Sequence, residues 1–281
     1  MLLTGVSALN LSLRDKIAGS VYGFAIGDAM GATTEFLTKD QVKKIYGEVN
    51  NIIGGGWLNL EPGEITDDTE MTICIIDAIM KKPKDAFEFK KRCEANFIDW
   101  LETCPKDVGN QCRKAIFKLI NGTRVNVELD ALGNGSLMRA MPLAVLNLPY
   151  MNVIQGIITH NNPICSDIIV NYSYLLQDYL YGNYNSKYAS KVKRLQEPSG
   201  HVKNTYNNSV FWSKQDSFEK AIIGAVNDGG DADTIAAITG SLAGAKFGFK
   251  DIPEEWVNQL NPEVKMILEN FINFVFDCLQ I

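Results

Sequence analysis

The sequence has little that indicates a metal-thiolate site, a disulfide framework or a membrane anchor. Its six cysteines include no CxxC pair, so neither a zinc site nor a disulfide framework is predicted, and free buried thiols are expected. No stretch approaches the roughly 20 continuous apolar residues that a membrane-spanning helix needs. Basic residues are outnumbered by acidic ones: the chain has 27 Lys and Arg and 33 Asp and Glu, which gives a net charge of −6. We therefore expect no binding to bulk nucleic acid or to an anionic membrane.

The opening stretch MLLTGVSALNLSLRDK lacks the basic start and the continuous apolar core of a signal peptide. We therefore expect a cytoplasmic protein. The composition, with 46% hydrophobic and 21% charged residues, is typical of an ordinary globular protein that buries a large core.

Hydrophobic periodicity predicts helices along most of the chain. RDKIAGSVYGFAIGDA, TEMTICIIDAIM, DAFEFKKRCEANFIDWLET, LMRAMPLAVL and ADTIAAITGSLAGAKFG all carry apolar residues at helical spacing. NIIGGGWLNL is the only plausible short strand. The expected fold is all-α, a compact multi-helix domain that spans residues 1–281. The pattern fails over residues 181–214, which are rich in Asn, Ser, Lys and Tyr, and a loop or lid with at most a short helix is expected there.

Two segments place clustered carboxylates and threonine at a predicted helix start. The first is Thr66, Asp67, Asp68 and Thr69; the second is Asp228, Asp231, Asp233 and Thr234, within DGGDADT. Helix capping is one explanation, because Asp and Thr satisfy free N–H groups at the positive end of a helix. One cap needs one such residue, however, and each segment supplies several.

The alternative to capping is a metal site. Ionised carboxylates about 4 Å apart repel by several kcal/mol at the effective dielectric of a protein site, so a cation must compensate them. Neither segment contains Lys, Arg, His or Cys. A hard cation held by oxygen ligands, Mg²⁺ or Mn²⁺, is the natural partner. If the two segments meet in the fold, they can hold two ions.

Three further features carry weaker indications. GDAMGATTE ends on Glu35, which is either a solvated loop charge or a site residue. LGNGSLMRAMP sets Gly133, Asn134, Gly135 and Ser136 before a predicted helix, where backbone N–H groups favour anions, although a tight turn explains the glycines equally. In this stretch, Arg139 is either a phosphate ligand or a surface ion-pair partner. His160, in THNNP, is either a helix C-terminal cap or a catalytic residue.

In this order, the stretches GFAIGDAMGATTE, GEITDDTEMT, GNGSLMRAMPLA, THNNP and AVNDGGDADTIAAITGSLAGAKFG resemble the ADP-ribosylglycohydrolase family. The resemblance implies a compact all-α fold with a binuclear centre of two Mg²⁺ or Mn²⁺ ions. It also implies hydrolysis of the bond between ADP-ribose and a protein side chain or small acceptor.

The resemblance also assigns roles to individual residues. The metal ligands are expected to be Thr66, Asp67, Asp68, Asp231, Asp233 and Thr234. The candidates for taking the proton of the attacking water are Glu35, Asp67 and Asp68. The expected contacts to the diphosphate and distal ribose are Gly133, Asn134, Gly135, Ser136, Met138 and His160.

Two departures from the family pattern limit these expectations. Ala232 stands where the family often has Thr, at a position between two ligands that tolerates the change. Residues 181–214 match no recognisable part of the family pattern. In the family, this region would ordinarily supply the contacts to the adenine and to the acceptor. The acceptor therefore stays open, and so do two alternatives: a non-catalytic ADP-ribose-binding relative and a binuclear phosphohydrolase that cuts the diphosphate. The expected partner is an ADP-ribosylated protein or small molecule, and the expected oligomeric state is a monomer.

Overall fold

A computed structural model describes residues 12–123, 125–190, 192 and 197–281. Within these residues the protein is all-α, as predicted, and the only β pairings are isolated bridges. The helices are α1 (Leu13–Gly31), α2 (Lys39–Tyr46), α3 (Asp67–Met80), α4 (Ala86–Glu102), α5 (Asn110–Ile120), α6 (Met141–Val145), α7 (Pro149–Gly156), α8 (Pro163–Leu180), α9 (Lys187–Ser190), α10 (Val202–Trp212), α11 (Phe218–Asp228), α12 (Ala232–Phe247), α13 (Glu254–Gln259) and α14 (Pro262–Leu279). A single 3₁₀ turn, Phe249–Asp251, follows α12.

Helices α1 and α12 form the centre of the molecule and pack antiparallel at very short range. In α1, a glycine at every fourth position faces α12; these are Gly19, Gly23, Gly27 and Gly31. A Cβ atom on Gly19 would lie 2.5 Å from the carbonyl oxygen of Gly244, and one on Gly31 would lie 2.4 Å from that of Ala232. Only glycine permits this approach, which places the C-terminal end of α1 beside the N-terminal end of α12.

The remaining helices pack around this pair and bury one continuous apolar cluster. Its members extend from Ile17 in α1 to Val275 in α14. This continuity supports the expected single domain, which stays a prediction. None of the helices in the described part of the chain has the length and apolar character that crossing a membrane requires. Four cysteines are buried as expected, but Cys104 and Cys278 are exposed.

The prediction of an irregular segment over residues 181–214 is wrong for much of its length. It contains α9 and the eleven-residue α10, which His201 caps by accepting a hydrogen bond from the N–H of Lys203. Val202, Tyr206 and Val210 give α10 a buried stripe at helical spacing, and interspersed Asn and Ser obscured it. Residues 191 and 193–196 of the segment lie outside the described residues.

Two other expectations also differ from the structure. The predicted helix directly after the glycine loop begins only at Met141, because the N–H groups of Leu137 and Met138 both donate to the carbonyl of Asn134 and close a tight turn. The predicted strand in NIIGGGWLNL is reduced to one bridge between Gly55 and Leu60.

Candidate active site

The two acidic segments come together at the end of the α1–α12 pair. Thr66 caps α3, whose first residues are Asp67 and Asp68, while Asp231 immediately precedes α12. The hydroxyl of Thr234 donates to Asp68 Oδ2 at 3.3 Å and links the segments directly. The hydroxyl oxygen of Thr66 lies 3.5 Å both from Asp68 Oδ2 and from Asp233 Oδ2. The sequence segments that were separate candidates thus form one cluster.

Asp28, near the end of α1, holds the start of α3 in place. Its carboxylate accepts the Thr66 hydroxyl at 2.8 Å, the Thr66 N–H at 3.2 Å and the Thr69 N–H at 3.1 Å. The side chain is fully buried, and burial raises its pKa to about 6 although these hydrogen bonds act in the opposite direction. Asp28 therefore supports the cluster from behind, and by accepting the Thr66 hydroxyl hydrogen it leaves the oxygen of that hydroxyl free for the metal role that the family resemblance implies.

Glu35 joins the cluster from the turn that follows α1. This turn is fastened to the acidic segment before α12, because Phe36 N–H donates to Gly230 O and Gly230 N–H donates to Leu37 O, both at 2.7 Å. Glu35 Oε2 accepts a hydrogen bond of 2.6 Å from Trp57 Nε1. Among the described residues, Glu35, Asp231 and Asp233 place one ligand atom each within 4.8 Å of one another. This group can hold a metal ion.

The electrostatics of the cluster are unfavourable without added positive charge. Burial raises the pKa of Glu35 to about 9 and that of Asp231 to about 6, and it raises the pKa values of Asp67, Asp68 and Asp233 well above their usual range. Repulsion between neighbouring carboxylates adds to the effect at most of these residues.

Two buried carboxylate oxygens in the cluster have no hydrogen-bond partner among the residues that the structure describes. They are Asp68 Oδ1 and Asp233 Oδ1. Unpaired buried carboxylate oxygens are costly, and a hard divalent cation with oxygen ligands satisfies them directly. The donor set of the cluster therefore fits Mg²⁺ or Mn²⁺.

Asp107 is a site residue that the sequence analysis missed. It lies in the loop between α4 and α5, lines the same cleft as Asp67, and has its pKa raised by burial. The adjacent Gly109 N–H donates to Asp67 Oδ2 at 3.0 Å, which ties this loop to the cluster. An aspartate just before a helix is so common as a capping residue that its sequence context gave no indication of a site.

The glycine loop forms the other wall of a cleft of about 410 Å³, which the acidic cluster lines on its opposite side. The loop residues at the cleft are Gly133, Asn134, Gly135 and Met138. Asn134 Nδ2 donates to Asp231 Oδ2 and, at 3.0 Å, to Thr205 Oγ1, so it joins the loop to the cluster. Ser136 is not at the wall, because its side chain is fully buried behind the loop.

His160 lies against the glycine loop and also lines the cleft. A Cβ atom on Gly135 would lie 2.8 Å from His160 Cε1, so this packing requires glycine. Burial, assisted by Arg139, lowers the pKa of His160 to about 3 and keeps the ring neutral. Arg139 Nη2 donates to the Thr159 hydroxyl at 2.7 Å, and that hydroxyl lies 2.8 Å from His160 Nδ1. This contact holds the imidazole ring in place from its Nδ1 side.

Arg139 itself matches neither role that the sequence left open. The side chain is fully buried and donates to the side-chain and backbone oxygens of Gln155 at 2.6 and 3.0 Å. It therefore acts beneath the cleft and contacts neither solvent nor a surface carboxylate.

Comparisons with known proteins show which family the chain resembles over most of its length. The family model described as ADP-ribosylglycohydrolase matches residues 9–276. The ADP-ribosyl-(dinitrogen reductase) glycohydrolase of Rhodospirillum rubrum is 34% identical over 90% of this chain and 93% of its own. The ADP-ribosylarginine hydrolase Tri1 of Pseudomonas putida (strain GB-1) is 30% identical over 88% of this chain and 74% of its own. A solved structure titled ADP-ribosylglycohydrolase-related protein complex superimposes with a TM-score of 0.80 at 25% identity, covering 94% of this chain and 99% of that one.

Proposed function

Because this chain belongs to the ADP-ribosylglycohydrolase family, we propose that it hydrolyses the glycosidic bond that joins ADP-ribose to an arginine side chain of a modified protein. The observation that carries the proposal is the cluster of buried carboxylates on one wall of a cleft whose other wall is the glycine loop. Arginine is favoured as the acceptor because a relative that matches 88% of this chain is named an ADP-ribosylarginine hydrolase.

We propose that the cluster holds two divalent cations, Mg²⁺ or Mn²⁺. The residues that would hold them are Glu35, Asp67, Asp68, Asp231, Asp233 and Thr234, with Thr66 behind them. Bound there, the cations would supply the positive charge that compensates the carboxylates, and they would bind the hydroxyls of the substrate ribose. The unpaired oxygens of Asp68 and Asp233 support this assignment.

The carboxylates of the chain would carry out the proton transfer and stabilise the developing charge. Cleavage of a glycosidic bond passes through an oxocarbenium-like state, which neighbouring carboxylates stabilise. Glu35 is our preferred acceptor for the proton of the attacking water, ahead of Asp67 and Asp68. Its turn holds it at the edge of the cluster, and the Trp57 N–H stabilises its ionised form.

The opposite wall would bind the ADP part of the substrate. Its glycines let a ligand approach the backbone closely, and Asn134 couples the loop to Asp231. The neutral ring of His160, which lines the cleft, would hydrogen-bond to a sugar or phosphate group of the substrate. Its low pKa means that this ring keeps the same protonation state across the physiological pH range.

Product analysis tests the proposed function. Arginine-linked and serine-linked ADP-ribosyl peptides are incubated with the protein and Mg²⁺ or Mn²⁺, and the products are identified by mass spectrometry. Release of free ADP-ribose from the arginine-linked peptide is the expected result. AMP with a ribose 5-phosphate product would instead indicate a phosphohydrolase, and binding without any product would indicate a non-catalytic relative. The cytoplasmic location and the monomeric state stay predictions.

A further inference from the structure

Two exposed aromatic side chains stand beside Glu35 at the edge of the cleft. Phe36 is 66% exposed and Trp57 is 52% exposed. Their ring centroids are 5.4 Å apart with an interplanar angle of 47°. We call these two residues the aromatic pair.

The aromatic pair is held in position by its surroundings. The indole N–H of Trp57 donates to Glu35 Oε2, which fixes the ring next to the cluster. The backbone around Trp57 is a closed turn, since Gly55 and Leu60 exchange hydrogen bonds of 2.7 and 2.9 Å. The Thr33 hydroxyl donates to Gly54 O at 2.9 Å and attaches this turn to the end of α1. The pair is therefore anchored although its ring surfaces are exposed.

Burial in the core does not explain a phenylalanine at position 36. Its φ is 62°, in the left-handed region that is unfavourable for a bulky side chain, and most of its ring is exposed to solvent. Backbone strain combined with exposed apolar surface is typical of residues kept for function.

The position of Phe36 indicates which part of a substrate it would contact. It lines the cleft of the carboxylate cluster and, on its other side, an open groove of about 670 Å³. A substrate whose scissile bond lies at the cluster extends its acceptor towards the edge of the cleft. None of the described residues that line the cleft is Lys or Arg, whereas Glu35 and Asp107 present carboxylates there. The edge of the cleft thus suits a cationic, planar group.

We infer that the aromatic pair is the acceptor platform of the enzyme, on which the guanidinium of the ADP-ribosylated arginine lies against the ring of Phe36. This inference rests on the proposed function. An arginine guanidinium stacks on aromatic faces and attracts carboxylates at its edges, and the pair with its neighbouring acids offers both. An uncharged acceptor such as serine gains nothing comparable from these rings.

The test measures steady-state kinetics on an arginine-linked ADP-ribosyl peptide, together with the affinity for free ADP-ribose, which lacks the acceptor. Phe36→Ala is expected to raise KM about tenfold, with kcat and ADP-ribose affinity changed less than about twofold, because the lost contact exists equally in substrate and transition state. Phe36→Tyr keeps the ring and is expected to retain the KM. Phe87→Ala, at an aromatic residue that is 71% exposed and absent from the cleft lining, is the matched control.

Phe36→Gly separates this role from folding. Glycine relieves the left-handed backbone, so the variant is expected to keep or raise Tm while it shows the same rise in KM. An unchanged KM in Phe36→Ala or Phe36→Gly overturns the platform, as does an equal loss of ADP-ribose affinity. If the unaltered protein releases no ADP-ribose from the arginine-linked peptide, the proposed function itself fails and the platform falls with it.

Discussion

Single carboxyl groups give the strongest support for the proposed cation site. Asp68 and Asp233 are almost fully buried, and within the described part of the chain each has an oxygen without a hydrogen-bond partner. A protein that required only helix caps at these positions would gain stability from fewer or more exposed acids. The residues make sense when bound cations supply the missing charge.

The stability of the metal-free protein should depend on pH in a defined direction. Burial raises the folded-state pKa of Glu35 from 4.5 to about 9 and that of Asp28 from 3.8 to about 6. Between those values the folded state keeps protons that the unfolded chain has released, so stability is greatest at low pH and falls as pH rises through the window. Thermal unfolding in chelator should therefore give a Tm that decreases from pH 5 to pH 8.

Divalent metal should remove most of this pH dependence, because cations favour the ionised carboxylates and bind the folded state. Each 1 kcal/mol gained raises Tm by roughly 2 °C in a chain of this size, which differential scanning calorimetry resolves. A Tm that rises with pH in chelator, or that does not change when Mg²⁺ or Mn²⁺ is added, would contradict the proposal that the cluster is a metal site.

Glu35 provides a second prediction for a single residue. Glu35→Gln keeps the size of the side chain and can still accept from Trp57, but it cannot take a proton. At saturating Mn²⁺, where the Gln carbonyl oxygen can still serve as a ligand, we expect kcat to fall by about 100-fold or more while ADP-ribose affinity stays within about twofold, as calorimetric titration would show. The surface variant Glu48→Gln is the control. A loss confined to ADP-ribose affinity would assign Glu35 to binding and not to proton transfer.

Sequence reasoning at this scale succeeded where residue types were clustered. The density of Asp and Thr in TDDT and DGGDADT identified the two acidic segments before any fold was considered. Asp107 had no such neighbours, and Thr66 gave no sign that Asp28 would bind its hydroxyl. Both facts depend on contacts between distant segments, which residue spacing does not reveal.

At the scale of helices, the glycine contacts between α1 and α12 set the geometry of the site. They bring the two backbones close enough to place Asp28 and Glu35, at one end of α1, beside the start of α12. A Cβ atom on Gly27 would lie 2.1 Å from the carbonyl oxygen of Ala236, which is backbone and cannot rotate away.

Gly27→Ala should therefore separate the central helices. We expect the free energy of unfolding to fall by about 2 kcal/mol or more, and the affinity for Mn²⁺ to weaken because the two acidic segments move apart. Chemical denaturation and metal titration measure the two effects.

Gly156→Ala in α7 is the matched control for Gly27→Ala. A Cβ atom there would meet Ile169 Cδ1, the flexible end of a side chain, at 2.8 Å and Ser136 Cβ at an ordinary contact distance of 3.5 Å. This variant should be close to neutral. Equal stability for both variants would show that the close approach of α1 and α12 does not limit folding.

Helices were predictable from the sequence where apolar residues recurred at regular helical spacing. They were uncertain where polar residues interrupted that spacing. α1, α3, α4 and α12 follow such patterns. α10 was missed because Asn and Ser separate its buried residues, and the start of α6 was placed too early because Asn134 closes a turn that has no hydrophobic signature.

At the scale of the whole molecule, folding is what assembles the site. Thr234 and Asp68 are 166 positions apart in sequence but share a hydrogen bond. Further regions of the chain add to the site. They contribute the glycine loop, the loop that carries Asp107 and the aromatic pair. The order of these segments predicted their association only through the resemblance to a family, because no local pattern specifies such contacts.

The most direct test of the account is the metal dependence of ADP-ribose release from an arginine-linked peptide. Protein stripped with chelator should release none, and added Mn²⁺ or Mg²⁺ should restore the reaction in the unaltered chain. The double variant Asp67→Asn, Asp68→Asn should stay inactive with either metal while its helical circular dichroism is retained. Full activity of the stripped protein, or of the double variant, would contradict the claim that the two acidic segments form one metal-dependent catalytic site.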